Sequence, residues 1–196
     1  LLMVGGLDRY CQIVKCFRDE DLRADRQPEF TQVDLEMSFV DQDDVMEVLE
    51  GYISLVFKEI LNIDLPRPFP RLTYDQSMRL YGNDRPDLRY ELEIMDLSEV
   101  LAGSEAKVFA EALARGGCIR AVCAPGAASF SRKQLDDLVA FAISMGAKGL
   151  AWIKITDEGW QGPVVKFLTA EEKTAIAAEA KAKSGDVIFF GADTIQ

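Results

Sequence analysis

Two segments near the start of the chain alternate between apolar and polar residues, the pattern of half-buried β-strands. They cover residues 10 to 17 and 31 to 40. In the second segment the apolar positions are Val33, Leu35, Met37 and Phe39, and the polar positions are Gln32, Asp34, Glu36 and Ser38. The pattern predicts an antiparallel hairpin, and it places Arg18 and Asp34 on the same face.

A long amphipathic helix is predicted over about 42 to 62. Apolar residues recur there at helical spacing, behind a cluster of aspartates that suits a helix start. These apolar residues are Val45, Val48, Leu49, Tyr52, Ile53, Val56 and Ile60. The proline-rich segment 65 to 71 is expected to stop the helix, because proline cannot continue it. A short helix is predicted from Asp75 to Tyr81.

From about residue 98 the chain shows short elements with their own turns and caps. Strands are predicted near 106–112, 117–123, 149–155, 164–168 and 187–190. Two capping boxes, Ser131 to Gln134 and Thr169 to Glu172, predict helices that Gly146 and Gly185 are expected to end.

This order of strands and helices predicts an α+β fold in two domains. The first is expected over 1–97 and the second over 98–196, with the boundary near 96 to 105. The second set of elements carries its own helix caps and core positions, so it is expected to fold as a separate unit.

Charge and hydropathy restrict the possible partners. No apolar run approaches the roughly 18 residues of a membrane-spanning helix, so no membrane partner is expected. The net charge of −11 argues against broad, non-specific binding of nucleic acid, which needs a basic surface. A local cluster of basic residues could still contact nucleic acid in a chain with this net charge.

The four cysteines do not form a zinc motif. Cys11 and Cys16 are five residues apart, as are Cys118 and Cys123, and in a strand this spacing puts the two side chains on opposite faces. Zinc ligands usually occur as C-x2-4-C, and the chain has no histidine, so no metal site is expected. Reduced, packed thiols are expected instead, as in a cytoplasmic protein.

A dense mixed-charge loop lies between the two predicted strands. Eight of the twelve residues from Arg18 to Glu29 are charged, five acidic and three basic. A loop of this kind is most often a solvated turn. The neighbouring row of polar side chains, Gln32, Asp34 and Glu36, favours a binding role instead, because it is more elaborate than solubility requires.

The residue chemistry around this loop suits a nucleotide and a second substrate that carries an amine. The planar guanidinium of Arg18 can donate two parallel hydrogen bonds to a phosphate. Phe30 offers a flat ring on which a base can stack. The carboxylate of Asp34 can pair with an ammonium group.

The loop and its strands carry a more specific signal. The run FRDEDLRADRQPEFTQVDLEMSF, with YGNDRPDLR downstream, resembles motif 2 of the class II aminoacyl-tRNA synthetases, and in particular the bacterial-type aspartyl-tRNA synthetases. The GAD domain of these enzymes takes its name from the tripeptide Gly-Ala-Asp, which occurs here as Gly191-Ala192-Asp193. The resemblance implies part of an antiparallel catalytic sheet with helices, followed by an inserted α+β GAD domain.

The resemblance also implies roles for individual residues. Arg18 would be catalytic, contacting both the α-phosphate of ATP and the carboxylate of aspartate. The other ATP-binding residues would be Asp19, Glu20, Gln27 and Phe30. Aspartate would also be bound by Gln32 and Asp34, and the acceptor end of tRNA by Arg23 and Arg26.

Several parts of the family pattern do not occur in these 196 residues. Motif 1, motif 3, the anticodon-binding barrel and the expected Mg²⁺ ligands are missing. We therefore expect a piece of a longer homodimeric ligase, inactive by itself. The alternative is that the chain serves mainly as a structural or interaction module, with no chemistry in residues 105 to 196.

Overall fold

The computed structural model describes residues 1–21 and 23–194, which form two compact units, Leu1–Arg71 and Leu72–Gln196. The division lies earlier than the domain boundary predicted near 96 to 105. Ile94–Asp96 pairs with a strand of the second unit, and Leu97 is fully buried in that unit's core. The segment before residue 97 therefore contributes to the second sheet. The overall class is α+β, as the sequence predicts.

The first unit contains a two-stranded antiparallel hairpin. Strand β1 covers Arg9–Phe17 and strand β2 covers Glu29–Met37. Their register pairs Gln12 with Asp34 and Cys16 with Phe30. Strand β2 ends before the predicted residue 40, because Phe39 adopts a left-handed backbone with φ 57° that does not fit a strand.

Helix α1 covers Gln42–Leu61, close to the predicted bounds. Its N-terminus is a capping box. The Asp41 carboxylate accepts from the backbone N–H of Asp44, and the Asp44 carboxylate accepts from the backbone N–H of Asp41. The helix ends at Asn62, whose left-handed backbone allows its N–H to donate to the carbonyl of Lys58. The local cap therefore stops the helix before the proline-rich segment begins.

The second unit is built on a five-stranded antiparallel sheet. Its strands are β3 Ile94–Asp96, β4 Cys118–Ala124, β5 Ala151–Thr156, β6 Gly159–Gln161 and β7 Val187–Asp193. They pair in the spatial order β3-β4-β7-β5-β6. Four helices accompany them: α2 Tyr74–Tyr81, α3 Lys107–Ala114, α4 Arg132–Ser144 and α5 Ala170–Glu179.

Two segments predicted as strands are helical. The segment 106–112 belongs to α3, in which Phe109 and Ala112, three residues apart, are buried on one face. The segment 164–168 contains a 3-10 turn, Val165–Phe167, and the strand beside β5 is the earlier β6. Short apolar runs such as these fit both a strand and a buried helical turn.

The capping boxes of α4 and α5 are confirmed, but one helix end differs. Helix α5 was expected to continue to Gly185, and it ends at Glu179. Lys181 has a left-handed backbone, φ 48°, and the N–H of Ala182 donates to the carbonyl of Ala177. This is the Schellman arrangement, formed here with lysine in the position that glycine usually takes.

The core of the second unit lies between its sheet and its helices. Phe109 of α3 and Phe190 of β7 are fully buried, with ring centroids 5.5 Å apart. The half-buried Lys154 donates to the backbone carbonyls of Ala128 and Phe130, so its ammonium stabilises the loop before α4. Among the described residues, no helix is long and apolar enough to cross a membrane.

Gly117 provides a test of this packing. A Cβ added there would lie 2.8 Å from the carbonyl oxygen of Ala112 and closer still to that of Asp193. Gly117→Ala should therefore destabilise the second unit by about 2 kcal/mol or more, since backbone must move to make room. Urea unfolding followed by the fluorescence of Trp152 and Trp160, both in this unit, measures the loss.

The matched control is Gly103→Ala, where an added Cβ meets nothing within 4 Å. Its unfolding free energy should stay within about 1 kcal/mol of that of the unsubstituted chain. Equal stability of the two alanine variants would contradict the close approach at Gly117.

Cys123 provides a second test, through its reactivity. Partial burial, helped by the nearby carboxylate of Asp186, raises the pKa of the Cys123 thiol to about 11. At pH 8 only about one thiol in a thousand is then the reactive thiolate, so alkylation should be slow and should rise about tenfold per pH unit. Iodoacetamide labelling read by peptide mass spectrometry checks this. The exposed Cys11 is the internal control, and faster labelling of Cys123 than of Cys11 at pH 8 would contradict the burial.

Candidate active site

One face of the hairpin collects the polar side chains that the sequence singles out. Because β1 and β2 pair even-numbered residues with even-numbered residues, Gln12 and Cys16 share a face with Phe30, Gln32 and Asp34. All five are half-buried. We call this face, defined by these five residues, the site face.

The opposite face of the hairpin carries exposed apolar side chains together with the ion pair between Lys15 and Glu29. Ile13 and Phe17 of β1 are 77% and 72% exposed, and Val33 of β2 is 42% exposed. Apolar residues thus lie opposite the site face, in agreement with the alternation predicted for β2.

Arg18 lies at the end of β1, beside the ring of Phe30. Its guanidinium carbon is 5.2 Å from the ring centroid, within the range of a cation–π contact. Its backbone N–H donates to the carbonyl of Pro28 at 2.9 Å, which closes the loop between the strands. The sequence therefore brings a fixed positive charge and a flat ring together at one end of the site face.

The charged loop borders an open groove with a volume of about 610 Å³. Its lining residues are Arg18, Glu20, Ala24, Asp25, Arg26, Gln27 and Phe30. The groove therefore combines positive charge, carboxylates, an amide and one aromatic ring. This is a suitable lining for a phosphate-bearing ligand with a planar base.

An ion pair spans this groove. The guanidinium of Arg26 donates to the carboxylate of Glu20 at 3.2 Å, and a backbone bond from Arg26 to the carbonyl of Arg23 turns the loop. The Glu20 side chain is 19% exposed and that of Arg26 is 42% exposed. Arg26 is open to water, which weakens the pair, so a ligand can displace the Arg26 guanidinium from Glu20.

Gln32 and Asp34 each receive a hydrogen bond from β1. The amide nitrogen of Gln12 donates to Asp34 Oδ2 at 2.9 Å, and the thiol of Cys16 donates to Gln32 Oε1 at 3.0 Å. Sequence reasoning did not select Gln12 or Cys16 for the site. Once the strand register is known, the same alternation that selects Asp34 also selects Gln12.

The structure brings some of the sequence-predicted residues together and leaves others apart. Arg18, Glu20, Arg26, Gln27 and Phe30 line the groove, and Gln32 and Asp34 continue along the site face. Asp19 and Arg23 are not among the groove-lining residues of the described chain. Asp19 and Arg23 are exposed to solvent.

The four cysteines are free thiols. Cys11 and Cys16 lie on opposite faces of β1, as their spacing predicts, but Cys11 is exposed rather than packed. Across residues 1–21 and 23–194, no group of three or more His, Cys, Asp or Glu side chains is placed to hold a metal ion.

The tripeptide Gly191-Ala192-Asp193 forms the end of β7 in the second unit. Asp193 pairs with Lys148, and the hydrogen bond from this lysine lowers the pKa of the Asp193 carboxyl. Lys166 lies over the ring of Phe167, with its nitrogen 4.8 Å from the ring centroid. These charged side chains serve local contacts within the unit.

Comparison with known proteins identifies the family. The family model described as tRNA synthetases class II (D, K and N) matches residues 1–192. The chain is 53% identical to the aspartate–tRNA(Asp/Asn) ligase of Moorella thermoacetica, over 99% of the chain and 32% of that protein. It is 55% identical to the ligase of the same name from Desulfatibacillum aliphaticivorans, over 100% of the chain and 33% of that protein.

A third relative, the aspartate–tRNA ligase of Geobacillus kaustophilus, is 53% identical over 98% of the chain and 33% of its own length. The chain thus spans about one third of the length of these curated relatives. The match of the family model to nearly the whole chain confirms the resemblance seen in the sequence. The chain belongs to the class II tRNA synthetase family.

Proposed function

We propose that this chain is the part of an aspartate–tRNA ligase that binds ATP and aspartate during amino-acid activation. The observation that carries the proposal is the placement of Arg18 in the groove, over the ring of Phe30, which itself lies on the face that holds Gln32 and Asp34. The names of the relatives support aspartate as the substrate.

In the proposed reaction, a carboxylate oxygen of aspartate attacks the α-phosphorus of ATP. A new phosphorus–oxygen bond forms, the bond to the bridging oxygen breaks, and pyrophosphate leaves. Negative charge builds on the α-phosphate oxygens during this step. Arg18 donates hydrogen bonds to these oxygens and to the substrate carboxylate, so it stabilises the transition state more than the bound substrates.

The groove accommodates the nucleotide. Phe30 provides the ring for stacking on adenine, and Glu20 accepts a hydrogen bond from the adenine side of ATP after it releases Arg26. Asp19 and Gln27 lie on the loop that borders the nucleotide. Because the Arg26 end of this pair is open to water and the adenine replaces its hydrogen bond to Glu20, the exchange costs little free energy.

The amino acid and the tRNA are bound on either side of the phosphate. Asp34 pairs with the ammonium group of aspartate, and Gln32 binds the same substrate through its amide. Arg23 and Arg26 meet the acceptor end of tRNA, and their charge is local in a chain of net charge −11. In the second step a ribose hydroxyl at the 3′ end of the tRNA attacks the carbonyl carbon of the aspartyl-adenylate, an ester bond forms, and AMP leaves with the electrons of the broken acyl–phosphate bond.

Magnesium enters this scheme with the triphosphate, whose oxygens it prefers as ligands. The described residues of this chain hold no group of metal-ligating side chains that fits it. The intact ligase is proposed to be a cytoplasmic homodimer.

A second role is proposed for residues 98–196, as a structural or interaction module of the GAD type. The supporting observation is that their charged groups serve the fold. Lys154 stabilises a loop through two carbonyls, and Asp193 pairs with Lys148.

Arg18→Ala tests the proposed catalytic role. In the full-length ligase that contains this sequence, the substitution should slow aspartate-dependent exchange between ATP and pyrophosphate by about 100- to 1000-fold, or roughly 3 to 4 kcal/mol. Incorporation of labelled pyrophosphate into ATP measures this. The control is Arg115→Ala, an exposed arginine after α3, which should retain full exchange. Near-normal exchange in Arg18→Ala would refute the proposed role.

Glu20→Ala separates nucleotide binding from chemistry. Contacts to adenine are made equally in the ground state and the transition state, so their loss should raise the KM for ATP more than it lowers kcat. Steady-state exchange at varied ATP measures both constants. A large fall in kcat with an unchanged KM for ATP is the result that this assignment does not allow.

A further inference from the structure

We infer that Gln12 and Cys16 of β1 are positioning residues for the amino-acid end of the site. They hold Asp34 and Gln32 in the orientations that receive the substrate. This inference rests on the proposed function, because it concerns how the same site binds aspartate. Neither residue is required to touch the substrate.

The first contact fixes the carboxylate of Asp34. Gln12 lies directly opposite Asp34 in the hairpin register, and its amide nitrogen donates to Oδ2 at 2.9 Å. A hydrogen bond to a charged acceptor is stronger than one between neutral groups. It holds the carboxylate plane in one orientation and leaves Oδ1 to accept from an ammonium group.

The second contact fixes the amide of Gln32. Cys16 lies diagonally across the strands from Gln32, and its thiol donates to Oε1 at 3.0 Å. With its oxygen engaged, the amide presents its NH₂ group as the free end. That end donates hydrogen bonds, so it suits a carboxylate or phosphate oxygen rather than an ammonium group.

Together the two contacts give the site face a hydrogen-bond acceptor at one position and a hydrogen-bond donor at another. Asp34 is held as an acceptor and Gln32 is held as a donor, two residues apart on one strand. An α-amino acid carries an ammonium and a carboxylate group on the same carbon. It therefore fits in one orientation, with the ammonium group at Asp34 and the carboxylate group at Gln32. Gln12 and Cys16 thus set the direction in which the substrate lies toward Arg18.

A purely structural role is the competing explanation, since cross-strand pairs also stabilise hairpins. The two roles differ in what they change. Loss of strand stability lowers the amount of active enzyme and affects all substrates alike. Loss of positioning changes the KM for aspartate and leaves the KM for ATP unaltered.

Gln12→Met removes the amide and keeps a side chain of similar length. In the full-length ligase it should raise the KM for aspartate severalfold, up to about tenfold, because an Asp34 side chain that is no longer held must be ordered when the substrate binds. The KM for ATP should stay within about twofold. The control is Lys15→Met, on the same strand and the opposite face, where only an exposed ion pair with Glu29 is lost. It should leave both constants unchanged.

A double-mutant cycle tests whether Gln12 acts through Asp34. In an Asp34→Asn enzyme, Gln12→Met should raise the KM for aspartate by less than about twofold, because the group that it positions is already altered. For Cys16, the alanine variant should raise the KM for aspartate severalfold. The serine variant keeps a donor and should restore most of the affinity.

The outcomes distinguish failure of the positioning role from failure of the proposed ligase function. Aspartate-dependent exchange by the unsubstituted enzyme, with a raised KM for aspartate alone in Gln12→Met, supports the positioning role. Exchange with an unchanged KM for aspartate, an equal rise for ATP, or full additivity with Asp34→Asn would overturn it and leave the proposed function intact. No exchange in the unsubstituted full-length enzyme would overturn the proposed function, and this inference with it.

Discussion

The register of β1 against β2 is the constraint on which the candidate site depends. It places Gln12 opposite Asp34 and Cys16 opposite Phe30, so that polar groups and one ring share a face. Side chains alternate with a period of two, so a slip of one residue would turn Asp34 to the apolar face beside Ile13. The hydrogen bond from the Arg18 N–H to the Pro28 carbonyl, which closes the loop in this register, opposes such a slip. On the proposed function, substrate binding therefore depends on a backbone pairing that involves no catalytic group.

Much of the fold is visible in the sequence, wherever one local signal dominates. The alternation in β2 predicts its two faces, and the capping boxes at Ser131 and Thr169 locate the starts of α4 and α5. The signal fails for the short apolar run in α3, because four or five apolar residues fit both periodicities. It also fails at Lys181, since a left-handed lysine has no marker in the sequence.

For the candidate site, composition and alternation identify the residues of β2 but not their partners on β1. Gln32 and Asp34 stand out as polar residues within an apolar pattern. Gln12 and Cys16 are unremarkable until the strands are paired, because the register depends on how the long loop between them closes. The bond from the Arg18 N–H to Pro28 contributes to that closure, and a backbone contact of this kind is not encoded by residue type.

The ion pair between Glu20 and Arg26 has a thermodynamic consequence. On the proposed assignment, one partner is used by the nucleotide and the other by the tRNA, so either ligand must first separate them. The ligand that binds first spends part of its binding free energy on breaking the ion pair. The second ligand then binds a residue, Glu20 or Arg26, that is already unpaired. Such linkage is reciprocal. An ion pair with one partner open to water typically contributes up to about 1 kcal/mol, which corresponds to roughly a fivefold gain in affinity for whichever substrate binds second.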